Sequence, residues 1–395
     1  MSKVYVTGMG IITAIGRNFE ENLSQLRQSK TGIGKATHFS SKYTESHQFG
    51  EIPCSTEALI KNLNMIVPKG ICRTDALAFT AFLEAISHAG IGIEELCHPE
   101  TAFISASTVG GMCEHDNLLH DVNLPDKPSD SLHSYPNSAH TFRIAGLYNM
   151  KGITNTINTA CSSSANAIIQ GVKLIRSKRA KRVIAGGADS LSKFTVNGFN
   201  ALRILSEEPC KPFDEERKGL TLGEGAAYLV LEDESFAADK VKYASVTGFA
   251  NASDAFHQSS LSEEGTGVMS VMNKALKMAG IVPDQIGYIN THGTGTDNND
   301  RVELLGMKTI FGKIPPYNAT KSYTGHTLGA AGAVEAIFSI MSMINSETYM
   351  SLHCKNPIDS MAPVSRYTQH FEINHILTNS FGFGGNCTSL ILSKE

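Results

Sequence analysis

Two rhythms of apolar residues alternate along this chain of 395 residues. One is short and strand-like, at Val4-Tyr5-Val6-Thr7, Ala102 to Ser105, Ile153 to Asn158, Ala226 to Leu231, Tyr288 to Asn290, Ile376-Leu377 and Thr388 to Leu392. The other recurs at the spacing of one buried helix face. Ala165, Ile168, Ile169, Val172 and Ile175 form one such stripe, and Val334, Ile337, Phe338, Met341 and Ile344 form another. Strands alternating with helices predict an α/β fold whose sheets are covered by helices.

The order of these elements repeats. Val6-Thr7-Gly8 is echoed by Val246-Thr247-Gly248, and Ala89-Gly90-Ile91, closing a helical stretch, by Ala279-Gly280-Ile281. Each copy continues with a strand and a glycine-containing turn. A second turn then feeds an apolar helix, at Cys161 in one copy and His326 in the other, and an apolar strand closes each. The chain therefore reads as two βαβ-type halves, 1–240 and 241–395, the first carrying extra loop near its start. Facing halves bring both sets of loops to one cleft.

Composition sets limits on this picture. A hydrophobic content of 41% suffices for one large core or two fused ones. A net charge of −4 argues against a general nucleic-acid binder. The cysteines (Cys54, Cys72, Cys97, Cys113, Cys161, Cys210, Cys354, Cys387) show neither CxxC pairing nor zinc-like spacing. That predicts reduced thiols in a cytoplasmic protein and no metal site. The N-terminus enters a strand at once, without the basic and apolar regions of a signal peptide. The most apolar helix, 330–344, is expected to be too short to insert in a membrane; it carries Glu335 and reads as a core helix.

Candidate chemistry sits at the turns. Cys161, in Thr159-Ala160-Cys161-Ser162-Ser163-Ser164, joins strand to helix, where unpaired helix N–H groups are expected to lower a thiol pKa. Small neighbours leave room for a carbonyl, in a layout nucleophilic enzymes use. Taken alone, Cys161 reads more readily as a small buried core cysteine than as a nucleophile. Two histidines in glycine-threonine turns shift that balance: His292 in Asn290-Thr291-His292-Gly293-Thr294-Gly295-Thr296, and His326 before Thr327-Leu328-Gly329. Lys321 lies close enough before His326 to face the same cavity. The turn Phe381-Gly382-Phe383-Gly384-Gly385 can present backbone N–H groups as half of an oxyanion hole.

TACSSSA around Cys161, THGTGT around His292, KSYTGHTLGAAGAVE around Lys321 and His326, and NSFGFGGN around Phe383 resemble the β-ketoacyl-[acyl-carrier-protein] synthases of the elongating type II class. Val6-Thr7-Gly8-Met9-Gly10, Lys211-Pro212-Phe213-Asp214 and Leu222-Gly223-Glu224-Gly225-Ala226 match in the same order, so the likeness runs from about residue 3 to 393. It implies a thiolase-type fold: five layers, αβαβα, built from two duplicated halves. It also implies acyl transfer to Cys161, then decarboxylative condensation with a malonyl-carrier. His292 and His326 would stabilise the enolate, and Lys321 would order their network. Backbone N–H groups of Cys161 and Phe383 would form the oxyanion hole.

By the same resemblance Thr294 and Thr296 bind the pantetheine arm, and Val109, Phe199 and Phe383 line the acyl pocket. Lys69, Arg73 and Arg203 are the candidates for docking an acidic acyl carrier protein. No dissociable cofactor is implied, since the substrates bring their own phosphopantetheine. Glu335 either joins an internal monovalent-cation site, as in some relatives, or is a structural hydrogen-bond acceptor. A dimer is expected, of like subunits or with a related one. Two other readings stay open, a non-catalytic chain-length partner and a thiolase. The Ser162-Ser163-Ser164 run is similar to polyketide-type ketosynthases, and Ser134 to Thr141 lacks the basic pair expected near a carrier. Together these resemble the synthases of aryl-polyene and flexirubin-type pathways, with a rigid unsaturated or aryl-primed substrate.

Overall fold

In the computed structural model, which describes residues 2–124 and 128–395, the first half contributes five strands. They are β1 (Tyr5–Thr13), β2 (Thr101–Ala106), β3 (Thr154–Ile157), β4 (Arg182–Asp189) and β5 (Gly225–Glu232). The second half contributes β6 (Ala244–Ser253), β7 (Tyr288–Asn290), β8 (Tyr317–Asn318), β9 (His375–Gly382) and β10 (Asn386–Ser393). They form one continuous sheet in the order β3-β2-β4-β5-β1-β6-β10-β9-β7-β8. Read outward from its centre, β1-β5-β4-β2-β3 mirrors β6-β10-β9-β7-β8. The inner pairs of each half are antiparallel and the outer pairs parallel. Tyr5 opposite Ser245 and Val6 opposite Ala244 join the halves.

The sheet is buried on both faces, and β5 shows why its sequence is apolar without a break. Ala226, Tyr228 and Val230 face the outer helix Arg73–His88, alongside Leu77, Phe82 and Ile86. Ala227, Leu229 and Leu231 face inward, toward Ile168, Val172, Ile337 and Met341 of the helices Ser163–Arg176 and Ala331–Asn345. The other outer face, on β7, β9 and β10, is covered by Thr266–Ala279 and Asp297–Phe311 through Val268, Met272, Val302 and Met307. The layers are therefore αβαβα, as the repeat and the resemblance implied. Each fully buried Leu, Ile or Phe contributes roughly 1.5–3 kcal/mol, so the doubly covered sheet is the main source of cohesion.

One length expectation is corrected. With its leading 3₁₀ turn, the apolar helix runs Leu328–Asn345, 18 residues of mean hydropathy 1.4, long enough to cross a membrane by length and composition. It is nonetheless 89% buried inside the protein, sandwiched between the two half-sheets. It is a core helix. The first turns of the two central helices touch, Ala333 N–H donating to Ser164 Oγ at 2.9 Å. The loops that precede them consequently open on one cleft.

Candidate active site

Cys161 is delivered by a strained turn. Ala160 holds φ at 54°, a conformation costing an L-residue roughly 1–2 kcal/mol. Hydroxyls fix the bend: Ser163 Oγ accepts from Thr159 N–H at 2.9 Å and donates to the Ala160 carbonyl at 2.5 Å. Ser162 Oγ donates to Asn386 Oδ1 at 2.7 Å, tying the nucleophile turn to the start of β10. Gly382 must be glycine here, because a Cβ would come within 2.5 Å of the Thr159 carbonyl. This close approach puts the Phe383 and Cys161 backbone N–H groups together at Cys161 Sγ.

The thiol does not behave as helix placement alone suggested. Cys161 is 5% exposed, and burial pushes its pKa up to about 11. The Lys321 charge and the N–H groups of Phe383 and Cys161 pull the other way, but do not win. Desolvation of a thiolate outweighs the helix terminus. The expected low-pKa thiolate is thus corrected to a neutral resting thiol.

Both histidines meet it. Ligand-type atoms of Cys161, His292 and His326 all lie within 4.8 Å of one another. The rings stand edge to face, their centroids 5.4 Å apart. His326 Nδ1 accepts from Leu328 N–H at 3.1 Å, so its proton sits on Nε2, which is buried without a hydrogen-bond partner. Lys321 Nζ lies 3.1 Å from His292 Nδ1 and 2.6 Å from the His292 carbonyl, and donates to Glu335 as well. An ammonium at Nδ1 likewise leaves the proton on Nε2. Burial, then the Lys321 charge, hold both imidazoles well below the usual histidine pKa, so both are neutral. For His292 the neighbouring His326 adds to this.

A thiol and two imidazoles at this spacing also have the reach of a metal site. Their protonation does not suit one. A metal-bound Nε2 needs a hydrogen-bond acceptor at Nδ1, and here donors stand at both Nδ1 atoms. The cluster is built to donate Nε2–H bonds.

The cleft above holds about 510 Å³ and is lined by Cys161, His292, His326, Phe199, Phe383, Thr294, Thr296 and Arg203, among others. Phe199 stacks on Phe383, centroids 5.6 Å apart. Thr294 and Thr296 share a hydroxyl contact of 2.8 Å. Val109 is buried in a cluster with Leu191, Val196 and Leu328, against which Phe199 packs. Lys321 lies beneath the histidines. Lys69 is exposed but does not line the cleft. Arg73 as a docking residue is a correction: its guanidinium is 12% exposed and pairs with the fully buried Glu224 at 2.5 Å. It also donates to the Cys54 and Ile52 carbonyls. No charge is left for a carrier. Cys387, the thiolase alternative's nearest cysteine, packs in the outer core of the second half, away from the cleft.

Several contributors went unread in the sequence. Glu303 accepts from the His292 and Gly293 N–H groups at 2.8 and 2.9 Å, and burial lifts its pKa to about 7. Asp300 holds the Thr294 and Gly295 N–H groups at 3.0 and 3.1 Å. The only signal for either was acid on a helix that follows a glycine-threonine turn.

A model of the β-ketoacyl synthase N-terminal domain matches residues 1–237, and one of the C-terminal domain matches 243–355. The chain belongs to the β-ketoacyl synthase family. It is 30% identical to 3-oxoacyl-[acyl-carrier-protein] synthase 2 of Vibrio cholerae, over 99% of both chains. It is 31% identical to the same-named protein of Staphylococcus aureus strain COL, over 99% of this chain and 98% of that one. Among solved structures it is similar to the ishigamide ketosynthase/chain length factor, with TM-score 0.93 and 26% identity over 100% and 99% of the chains. A ketosynthase (ApeO) in complex with its chain length factor (ApeC) from Xenorhabdus doucetiae gives TM-score 0.87 at 30% identity, over 100% and 98%. This β-ketoacyl synthase is accordingly a condensing acyltransferase with the thiolase fold.

Proposed function

We propose that Cys161 is the acyl-carrying nucleophile and that His292 and His326 donate the hydrogen bonds that make decarboxylative condensation possible. The observation that carries this is the meeting of one sulfur and two neutral imidazoles within 4.8 Å, with His326 Nε2–H unpartnered. An acyl thioester of a carrier protein gives its acyl group to Cys161 Sγ; the thiol proton leaves with the pantetheine thiol. Backbone N–H groups of Cys161 and Phe383 hold the tetrahedral oxyanion. Malonyl-carrier then loses CO2, and the enolate oxygen takes the two Nε2–H bonds. The enolate carbon attacks the acyl carbonyl, expelling the Cys161 thiolate, which takes a proton from solvent to return to its resting thiol, and releasing a β-ketoacyl thioester two carbons longer. Lys321, held by Glu335, keeps His292 neutral and oriented. Thr294 and Thr296 take the pantetheine arm, and Val109, Phe199 and Phe383 the acyl chain. A chain with all of these in register is a working synthase rather than a silent chain-length partner.

Arg203, at the cleft mouth, meets the acidic carrier, with Lys69 further out. Glu335 Oε2 is buried without a hydrogen-bond partner, and it is the atom that would hold a monovalent cation. The reading further takes 1–240 and 241–395 as the two folding halves, in a cytoplasmic protein. It assigns the chain to specialised rigid-chain synthesis of the aryl-polyene type, paired with a chain-length subunit. The Ser162-Ser163-Ser164 run and the likeness to ketosynthases solved with chain length factors support this. A competition between saturated and polyunsaturated acyl-carriers of equal length tests it. The polyunsaturated chain should win on kcat/KM for acylation; equal or better use of the saturated chain returns the protein to ordinary fatty-acid elongation.

A further inference from the structure

Asp189 ends β4 inside the protein, fully buried and outside the lining of the cleft. Its carboxylate nevertheless gathers donors from two distinct parts of the site. On one side Oδ1 accepts from Ser107 Oγ at 2.5 Å and Val109 N–H at 2.9 Å. On the other, Oδ2 accepts from Thr108 Oγ1 and Gly329 N–H, both at 2.6 Å. Val109 belongs to the proposed wall of the acyl pocket. Gly329 follows Leu328, whose N–H fixes the His326 proton on Nε2.

Leu328 pays for that contact with a φ of 51°, unfavourable for a branched apolar residue. Something must hold the peptide beyond it, and Asp189 is the buried anchor there. The approach is so close that a Cβ on Gly329 would lie 2.7 Å from Asp189 Oδ2 and 3.0 Å from Thr108 N.

We propose that Asp189 is a positioning residue that fixes the His326 loop in its hydrogen-donating form and ties it to the acyl-pocket wall at Val109. A chain pressing on Val109 is thereby felt at the His326 loop through one rigid carboxylate. Acyl occupancy and readiness for decarboxylation are linked. This rests on His326 being an enolate donor.

The test is Asp189→Asn in the full-length protein, with Thr108→Val as a milder companion and His326→Ala in parallel. Whichever way the new amide turns, a backbone N–H, of Gly329 or of Val109, faces another donor instead of an acceptor. Misplacement of this kind costs up to about 100-fold. Asp189→Asn should slow malonyl decarboxylation by about 10–100-fold while acylation of Cys161, read by intact mass, stays within about threefold. Its decarboxylation should also gain an acidic limb that the wild type lacks, because a freed His326 Nδ1 no longer faces an N–H donor; burial and Lys321 keep that limb below the ordinary imidazole range. Thr108→Val should move the same ratio the same way, by about threefold. Asp189→Glu keeps a carboxylate there and should recover part of the ratio. Parallel loss of both half-reactions with a lowered Tm would make Asp189 scaffold only, and unchanged decarboxylation in folded Asp189→Asn would overturn the proposal outright. If Asp189→Asn yields no folded protein, Thr108→Val decides by the same ratio. Should His326→Ala itself decarboxylate normally, the reading of His326 fails first, independently of Asp189.

Discussion

The two central helices occupy equivalent places in the two halves, yet their leading turns do opposite chemical work. Ahead of Ser163–Arg176 stands a buried sulfur in a turn of small residues, its charge suppressed by burial up to a pKa of about 11. Ahead of Ala331–Asn345 stand His326 and Lys321, the lysine bound to Glu335 within that helix, and His292 joins them from the neighbouring β7 turn. In the first, neutrality protects a nucleophile until a thioester arrives; in the second, neutrality is what makes an imidazole a donor without a counter-charge. Duplication supplied the frame. Burial acting on different side chains supplied the division of labour.

The sharpest way to break that contrast is at the sulfur. Cys161→Ala should abolish acyl transfer with the fold intact, and an acyl adduct on another cysteine would end the assignment. Cys161→Gln should keep malonyl decarboxylation, its amide mimicking the acyl carbonyl, measured as CO2 release above background. Next comes the donor side. His292→Ala and His326→Ala should each slow condensation by about 10²–10³, as loss of one oxyanion donor commonly does, with acylation better preserved. A wild-type condensation rate in either variant removes that histidine from the mechanism.

A smaller effect sharpens the link between the halves. Lys321 is the largest influence pulling the Cys161 pKa down. Lys321→Ala should therefore slow alkylation of Cys161 at pH 8, by about tenfold for each unit by which the thiol pKa rises. Unchanged alkylation would show that the ammonium serves the histidines alone. The histidines themselves predict a pH effect on stability. Their folded pKa values lie below the unfolded value near 6.5, so the unfolded chain binds protons that the folded one refuses. Stability should fall as pH drops below about 6.5, by up to about 1.4 kcal/mol per pH unit for each histidine. Denaturant melts across pH 4.5–8 (about two units either side of 6.5 at most) check it, and His326→Gln should flatten the slope.

The smallest effect separates two arginines. Arg203→Ala at the cleft mouth should raise KM for the acyl-carrier by about threefold without moving Tm. Arg73→Ala should cost about 3–5 kcal/mol of stability instead, because it strands the buried Glu224.

Much of this was legible in the sequence, for physical reasons that differ by element. Strands buried on both faces show as short apolar runs and helices by one apolar stripe, and the duplication was read from their order, yet β4, buried along its whole length, went unread. Strand β8, two residues long, carries no period and went unread. Cys161, His292, His326 and Lys321 were visible because glycine and threonine mark turns where backbone approaches a ligand. The Cys161 pKa was misjudged because burial of the sulfur is a tertiary property that the strand–turn–helix layout does not carry. Arg73 looked like any surface base, since its partner Glu224 lies 151 residues away. Asp189 was invisible for the same reason, Gly329 being 140 residues distant.

The division of labour between the halves is tested most directly by single-turnover intact mass on the His292→Ala/His326→Ala double variant. The variant would be mixed with acyl-carrier and chased with malonyl-carrier labelled in its free carboxyl. It should acquire one acyl group, mapped to the Cys161 peptide, and then retain it through the chase with no labelled CO2 above background. Labelled CO2 at the wild-type rate, or an acyl group found anywhere but Cys161, would contradict the account.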